Sequence, residues 1–381
     1  MLKNTKIKEP AVVVAYDILT AYGSGIDALW QGILSNQSAI DRMDRFETKH
    51  FQSSNAAIIH DINYNKKTSL VTQMLTPLLK KVHNEIPNDA FLILATTTGE
   101  IDILERCILN NEGDPEESNL NCLLNRVKNL AGLKSSGLVV SAACASSNTA
   151  IAKAASMIRR GEHDCVLVVA CDCVSEFVFS GFSSLMALDR DVARPFDKNR
   201  RGLSLGEAAG FVLLMSKKRS LKEKRKAIAE ISGWGLTNDA NHMTGPSRNG
   251  DGLAGAIIKA LESANISTDK IGFISSHGTG TVYNDSMEMK AFKIVFNKKK
   301  VPVYSIKGGI GHTLGTAGLI ETAIVIRSLK EKTVLPTINL RDIDDEASGW
   351  VSKELRTHND TAAITVNAGF GGINAALVVK I

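Results

Sequence analysis

The chain lacks the usual marks of export, membrane insertion and metal binding. No stretch approaches the ~18 uncharged apolar residues of a membrane span, and the run from Met1 to Pro10 has no apolar signal core. The six cysteines (107, 122, 144, 165, 171 and 173) include no CxxC pair and no disulfide-like framework, so a reducing, cytoplasmic setting is expected. No low-complexity region interrupts the chain. Net charge is also small, at +5. Its local maxima are Lys217 to Lys226 and, more weakly, Lys298 to Lys300. Neither has interleaved aromatics or a reader motif, so no nucleic-acid partner is expected and both read as solvated linker and loop. A basic surface also attracts acidic protein partners, which leaves a second use open.

What is present suits a soluble α/β protein. At 381 residues, 44% hydrophobic and 22% charged, the chain is ordinary in composition but too long for one core. Short apolar runs at 11–15, 91–94, 138–140, 165–169, 209–214, 228–234, 271–274, 301–304, 363–366 and 375–379 predict strands. Helical patterns intervene at about 24–35, 68–84, 149–160, 251–263, 286–296 and 315–330, whereas 47–66 reads as an irregular loop. The alternation predicts an α/β architecture of largely parallel sheets buried on both faces. The two ends echo each other. Leu94 to Gly99 matches Ile274 to Gly278, and the strand leading to Cys144 matches the one leading to Lys307. Two copies of one unit are therefore expected, 1–218 and 226–381, joined by the basic linker.

Cys144 stands where an apolar strand gives way to small residues and then a helix. Unpaired N–H groups and the helix dipole favour thiolate there, and thiolate is the nucleophile. A small buried structural cysteine is the alternative. Two histidines at strand ends lie in glycine-rich surroundings that permit close approach: His277, with Thr279, Thr281, Asp285 and Glu288 following, and His312, preceded by Lys307 and followed by Glu321. The His277 segment lacks GxGxxG spacing, so it is not a phosphate turn, and no tetrahedral ligand set is evident, so no metal is expected. The segment from Val366 to Asn374, holding Phe370 and Gly371, is a glycine-rich turn whose N–H groups suit an oxyanion; a plain hairpin is the other reading.

Taken in order, Cys144, His277, Lys307 with His312, and the Gly369-Phe370-Gly371-Gly372 turn resemble the elongating Cys-His-His beta-ketoacyl-acyl-carrier-protein synthases of the thiolase-like superfamily. Pro195 to Gly202, Gly206 to Gly210, and Asn241 to Pro246 (with His242) extend the resemblance over almost the whole chain. It implies a thiolase-like fold of two α/β halves in α-β-α-β-α layers. It also implies decarboxylative condensation of a Cys144-bound acyl group with malonyl-acyl-carrier protein, for fatty-acid or polyketide- and polyene-type products. His277 and His312 would hold the enolate, and Lys307, paired with Glu321 or Glu288, would fix the histidine pair. The N–H groups of Cys144 and Phe370 would form the oxyanion hole, Phe370 would gate, and Thr279 and Thr281 would face the malonyl carboxylate. No metal or redox cofactor is implied, since substrates ride on the carrier's phosphopantetheine. The implied partners are an acyl carrier protein docked on the basic patches and a second subunit. That subunit is a second copy, paired through Cys165 to Val169, or a related chain. A thiolase would carry a second cysteine in the late turn, where Phe370 and Gly371 stand, and a coenzyme-A-primed synthase would carry Asn where His312 stands. A chain-length-factor-like partner subunit, the other reading, would lack the nucleophile. Departures from the family pattern are Arg201 in place of Asp, Ala208 in place of Gly, Tyr16-Asp17 in place of a glycine-rich turn, and a short 45–66 segment. Residues 179–188 would line the acyl tunnel and the dimer face.

Overall fold

The computed structural model describes residues 9–62, 64–65, 67–297 and 299–381. Lys298 of the second basic run and two positions of the 47–66 segment therefore lie outside the described residues. Ten strands carry the fold. The first half holds β1 (Ala11–Thr20), β2 (Phe91–Ala95), β3 (Gly137–Val140), β4 (Cys165–Asp172) and β5 (Ala208–Ser216). The second half holds β6 (Ala229–Asn238), β7 (Ile271–Ser275), β8 (Val303–Tyr304), β9 (Ala362–Gly369) and β10 (Ile373–Lys380). The helices are α1 (Ile26–Leu34), α2 (Leu70–Val82), α3 (Ile101–Asn110), α4 (Leu120–Leu130), α5 (Ser146–Arg160), α6 (Glu176–Ser184), α7 (Lys217–Lys222), α8 (Asp251–Ala264), α9 (Val282–Phe296), α10 (Lys307–Ile310) and α11 (Ala317–Glu331).

Spatial order across the sheet is β8-β7-β9-β10-β6-β1-β5-β4-β2-β3. Counted within each half, that is the same arrangement twice, third-second-fourth-fifth-first, so the repeat expected from sequence is a repeat of topology. Within the sheet the two halves join where Val12 stands opposite Glu230 and Val13 opposite Ala229. Between them lie α5 and α11, which touch each other and strands of both halves. Outside, α2 packs on β4 and β5, α4 on β3, and α8 on β6 and β10, completing five layers.

β4 shows why the strands read as continuous apolar runs. Its Val166, Val168 and Ala170 face the central core around α5 and α11, while Cys165, Leu167, Val169 and Cys171 face the core under α2. Both faces are buried, so the period of two is invisible in the hydropathy. A large aliphatic side chain withdrawn from water contributes about 1.5–3 kcal/mol. In α5, Ala150, Ile151, Ala152, Ala154, Ala155 and Ile158 are all buried. Small side chains let this helix sit between the strands of the two halves, and Gly161, in the left-handed region at φ 71°, ends it.

Several expectations change. The sheet is mixed, with parallel pairing at β2–β3, β2–β4, β7–β8 and β7–β9 but antiparallel pairing at the other joints. A turn as short as the one between β9 and β10 can only reverse the strand. Tyr16 and Asp17 do not form a turn; they lie inside β1, which is irregular between Val13 and Ala15. Helices α3, α4 and α6 arise where no helix was expected. The strand Cys165 to Val169 cannot pair across a two-fold axis, because β2 and β5 occupy both its edges. The open edge of that half is β3. The basic linker is no loose tether: α7 forms there, and Arg219 bonds Asp89, Asp164 and Glu223. Asp89 and Asp164 precede β2 and β4, at the strand ends away from Cys144. In the second basic run, Lys299 and Lys300 donate to backbone carbonyls, including those of Asp269 and Ser348.

Candidate active site

The chemistry-bearing residues gather beyond the C-terminal ends of the parallel strands, where α/β sheets place their ligands. The thiol comes from the β3–α5 connection. Ala143 takes a positive φ of 46°, which turns the chain sharply and leaves Cys144 just ahead of the helix. The turn is held by Ser146 Oγ, which accepts from Ala142 N at 2.9 Å and donates to Ala143 O at 2.6 Å. Thr97 Oγ1 donates to the same carbonyl at 3.2 Å. On the other side β9 arrives at Gly369, where a Cβ would stand 3.1 Å from Cys144 N and 3.3 Å from Ala142 O. Those distances are tighter than ordinary contact, so glycine suits the close approach there.

Cys144 is buried, and burial pushes its thiol up to about 11 against the opposing pull of Lys307 and the N–H groups of Phe370 and of Cys144 itself. Desolvation thus outweighs the helix terminus, which favours thiolate. The resting group is therefore a neutral thiol, and a base must take its proton. His312 Nε2 lies 3.0 Å from the sulfur. The His277 ring stands 5.1 Å from the His312 ring at 87°. Burial first, then Lys307, holds both imidazoles well below their ordinary value, His277 being depressed by His312 as well. Both rings are neutral at physiological pH.

Lys307 starts α10 and forms a buried ion pair with Glu321 of α11, not with Glu288. Burial raises the Glu321 carboxyl, which Lys307 counteracts. Glu288 and Asp285 shape the backbone instead. Glu288 accepts from the N–H of His277 at 2.7 Å and of Gly278 at 2.6 Å, and Asp285 from Thr279 at 3.1 Å, Gly280 at 3.2 Å and Phe196 at 2.8 Å. Burial and the neighbouring Asp285 push Glu288 up to about 8. Cys144, His277 and His312 offer ligand atoms within 4.8 Å of one another, a spacing that a metal could span. The buried cation of Lys307, close enough to depress both imidazoles, opposes a second positive charge there.

A cavity of about 670 Å³ opens above these groups. Thr279 and Thr281 line it with their hydroxyls 3.0 Å apart. Phe370 lines it too, stacked on Phe182 of α6 with centroids 5.6 Å apart. Of the 179–188 stretch, Phe182, Leu185, Met186 and Ala187 reach the cavity. Gly371 N donates to Met243 O at 2.7 Å, so this N–H is spent on the fold and is unavailable to an oxyanion. His242 lines the cavity as well, its Nδ1 accepting from Thr244 N at 3.1 Å and Gly245 N at 3.2 Å. Arg201 and Arg248 add positive charge to the lining.

The chain belongs to the beta-ketoacyl synthase family. The model of the beta-ketoacyl synthase N-terminal domain matches residues 109–220 and that of the C-terminal domain 228–341. The chain is 28% identical to 3-oxoacyl-[acyl-carrier-protein] synthase 2 of Vibrio harveyi, over 98% of this chain and 99% of that protein. It is 26% identical to the chloroplastic 3-oxoacyl-[acyl-carrier-protein] synthase I of Hordeum vulgare, over 99% of this chain and 90% of that protein. Among solved structures, the ishigamide ketosynthase/chain length factor superposes with a TM-score of 0.89 at 26% identity, covering 98% of this chain and 99% of that one. A beta-ketoacyl synthase from Burkholderia phymatum STM815 has the same fold, with a TM-score of 0.85 at 24% identity, covering 98% of this chain and 99% of that one.

Sequence reading singled out most of the groups at the cavity but passed over two behind it. Asp172, ending β4, accepts from Thr96 Oγ1 at 2.8 Å, from Thr97 N and Thr98 N, and from Gly315 N at 2.9 Å in the second half. Burial pushes its carboxyl up to about 6. An acid closing the apolar run of β4 was the available signal. Asn367 bonds Glu321 and His277 from β9; in sequence nothing separates it from the rest of the glycine-rich turn.

Proposed function

We propose that this beta-ketoacyl synthase joins a Cys144-bound acyl group to malonyl-acyl-carrier protein with loss of carbon dioxide. The observation that carries the reading is the neutral Cys144 thiol 3.0 Å from His312 Nε2, beside a second neutral imidazole, at the floor of one cavity. Cys144 Sγ attacks the acyl thioester carbonyl while His312 takes the thiol proton. The N–H groups of Cys144 and Phe370, both of which pull the thiol toward its anion, stabilise the tetrahedral oxyanion. The carrier thiolate leaves with the proton from His312.

A malonyl-carrier thioester then occupies the cavity, its carboxylate near Thr279 and Thr281. The C–C bond to the carboxylate breaks and its electron pair forms the thioester enolate, whose oxygen accepts from His277 and His312. The enolate carbon attacks the acyl-Cys144 carbonyl, the C–S bond breaks, and the Cys144 thiolate takes up one proton. The products are carbon dioxide and a beta-ketoacyl thioester. This chemistry needs no metal or redox cofactor. Phe370, stacked on Phe182, is the gate that moves once the thioester has formed. A chain-length-factor-like subunit has no use for a thiol paired with an imidazole, so the catalytic reading is preferred.

The two halves, 1–218 and 226–381, divide the labour: the first supplies the nucleophile, the second the enolate-binding groups and the cation. An acidic carrier docks at the cavity mouth, where Arg201 and Arg248 stand. The functional unit is a cytoplasmic dimer joined through the open edge of β3, of two copies or of this chain with a related one. Among the described residues no helix is long and apolar enough to cross a membrane. Incubation with acyl-carrier protein, then peptide mass spectrometry, tests the function: the acyl mass belongs on Cys144 and disappears on adding malonyl-carrier protein. An unmodified thiol under turnover conditions would sink the reading.

A further inference from the structure

Asn367 stands behind His277, fully buried near the end of β9. Its amide nitrogen Nδ2 lies 2.7 Å from Glu321 Oε2 and 3.3 Å from His277 Nδ1. An amide nitrogen carries two hydrogens, so one group can donate to both. Charge decides which way the amide faces. Glu321 is the counter-ion of Lys307, and an ionised carboxylate only accepts, so NH₂ and not the amide oxygen must meet it. Room for the oxygen comes from Gly318 in α11, where a Cβ would stand 2.5 Å from Asn367 Oδ1.

We infer that Asn367 is a positioning residue that holds His277 in its Nε2–H tautomer, as the third link of a buried chain Lys307–Glu321–Asn367–His277. The ring of a neutral imidazole has one proton. If Nδ1 carried it, two donors would face each other across 3.3 Å. With Nδ1 accepting from the amide, the proton sits on Nε2, and His277 presents a donor to the cavity it lines. The backbone of the same residue is tied to Glu288 of α9. His277 is thus anchored twice, at the main chain from α9 and at the ring from β9. The Lys307–Glu321 pair acts on it through Asn367, because the carboxylate orients the amide and the amide orients the ring.

The tautomer stands on these contacts alone; its consequence for rate rests on the condensation reading. In full-length protein labelled with ¹⁵N-histidine, long-range ¹H–¹⁵N spectra should give His277 Nδ1 the shift of an acceptor nitrogen and Nε2 that of a protonated one. Asn367→Leu, which keeps the bulk, should yield a tautomer mixture. Asn367→Asp, which replaces the donor with an acceptor, should move the proton to Nδ1. Both variants should slow condensation on the order of 100-fold, as loss of an oriented proton donor does. Acyl transfer to Cys144, which uses His312, should change less than roughly threefold, a split that general loosening of the site would not produce. A protonated Nδ1 in the unaltered protein overturns the assignment, and so does an equal loss in both half-reactions. The spectrum of the unaltered protein decides the matter even where a variant fails to fold. An unaltered protein that never condenses malonyl units refutes the function while leaving the spectrum to judge Asn367.

Discussion

The two halves of the molecule have one strand order and two chemistries. In each, the second and third strands run parallel and send their C-terminal loops to the same side. In the first half the loop after the second strand, Thr96 to Gly99, braces the turn that carries Cys144, with Asp172 behind it. In the second half the equivalent loop carries His277, and the loop after the third strand carries Lys307 and His312. In the proposed reaction one half thus shapes a single nucleophile, and the other assembles donors and a buried cation around it. A topology duplicated in full permits division of roles because strand order determines where loops end and says nothing about what they carry.

That asymmetry can be broken directly. The largest effect is expected for Cys144→Ser, which should lower condensation by at least about 1000-fold, because a neutral hydroxyl is a far poorer nucleophile. Turnover and acyl-enzyme mass both report it, and near-normal turnover would move the nucleophile elsewhere. Next come the histidines. His312→Ala should slow both acylation of Cys144 and condensation, whereas His277→Ala should slow condensation on the order of 100-fold and leave acylation nearly intact. Single-turnover measurements of each half-reaction separate them, and identical profiles would erase the distinction between the two residues.

Smaller effects sharpen the electrostatics. Alkylation of Cys144 by iodoacetamide should accelerate with pH through an apparent value of about 11, set by burial. A titration complete by pH 8 would mean that the helix terminus outweighs desolvation. Glu288 is raised to about 8 in the folded protein from an ordinary 4.5, so its protonated form is the favoured one. Its contribution to stability is full below pH 4.5 and is lost as pH rises toward 8. Glu288→Gln should therefore flatten the decline of Tm over that range, and an unchanged slope would assign the decline to other groups. The smallest effects concern docking. Arg201→Glu and Arg248→Glu should raise the KM for carrier protein several-fold, an effect that shrinks with added salt. Lys217→Glu and Lys218→Glu should leave it unchanged, because that helix lies at the far strand ends.

Much of the site was legible in the chain because each chemistry-bearing residue sits at an abrupt change of pattern. Cys144 and His277 interrupt glycine- or alanine-rich sequence shortly after an apolar strand, and His312 does so one helical turn beyond the strand Val303–Tyr304. The strands themselves were recognisable because burial on both faces makes them continuous apolar runs. Their directions were not, since hydropathy carries no sign for the neighbour's orientation. The partner of Lys307 was also open: Glu288 and Glu321 are both downstream acids, and only packing shows that one binds the amine while the other binds backbone N–H groups. Gly371 reads like its neighbours in the glycine-rich turn, yet its N–H is taken by Met243.

By itself the sequence determined the alternation of strands and helices, the doubling of the unit, and the identity of the thiol, the two imidazoles and the amine. Those follow from local pattern and residue chemistry, which one dimension records. Tertiary structure alone decided that the thiol rests neutral, that Glu321 holds Lys307, that Asn367 faces His277, and that β3 rather than β4 leaves an open edge. Each of these depends on desolvation or on contact between residues far apart in the chain. Both are properties of the packed interior.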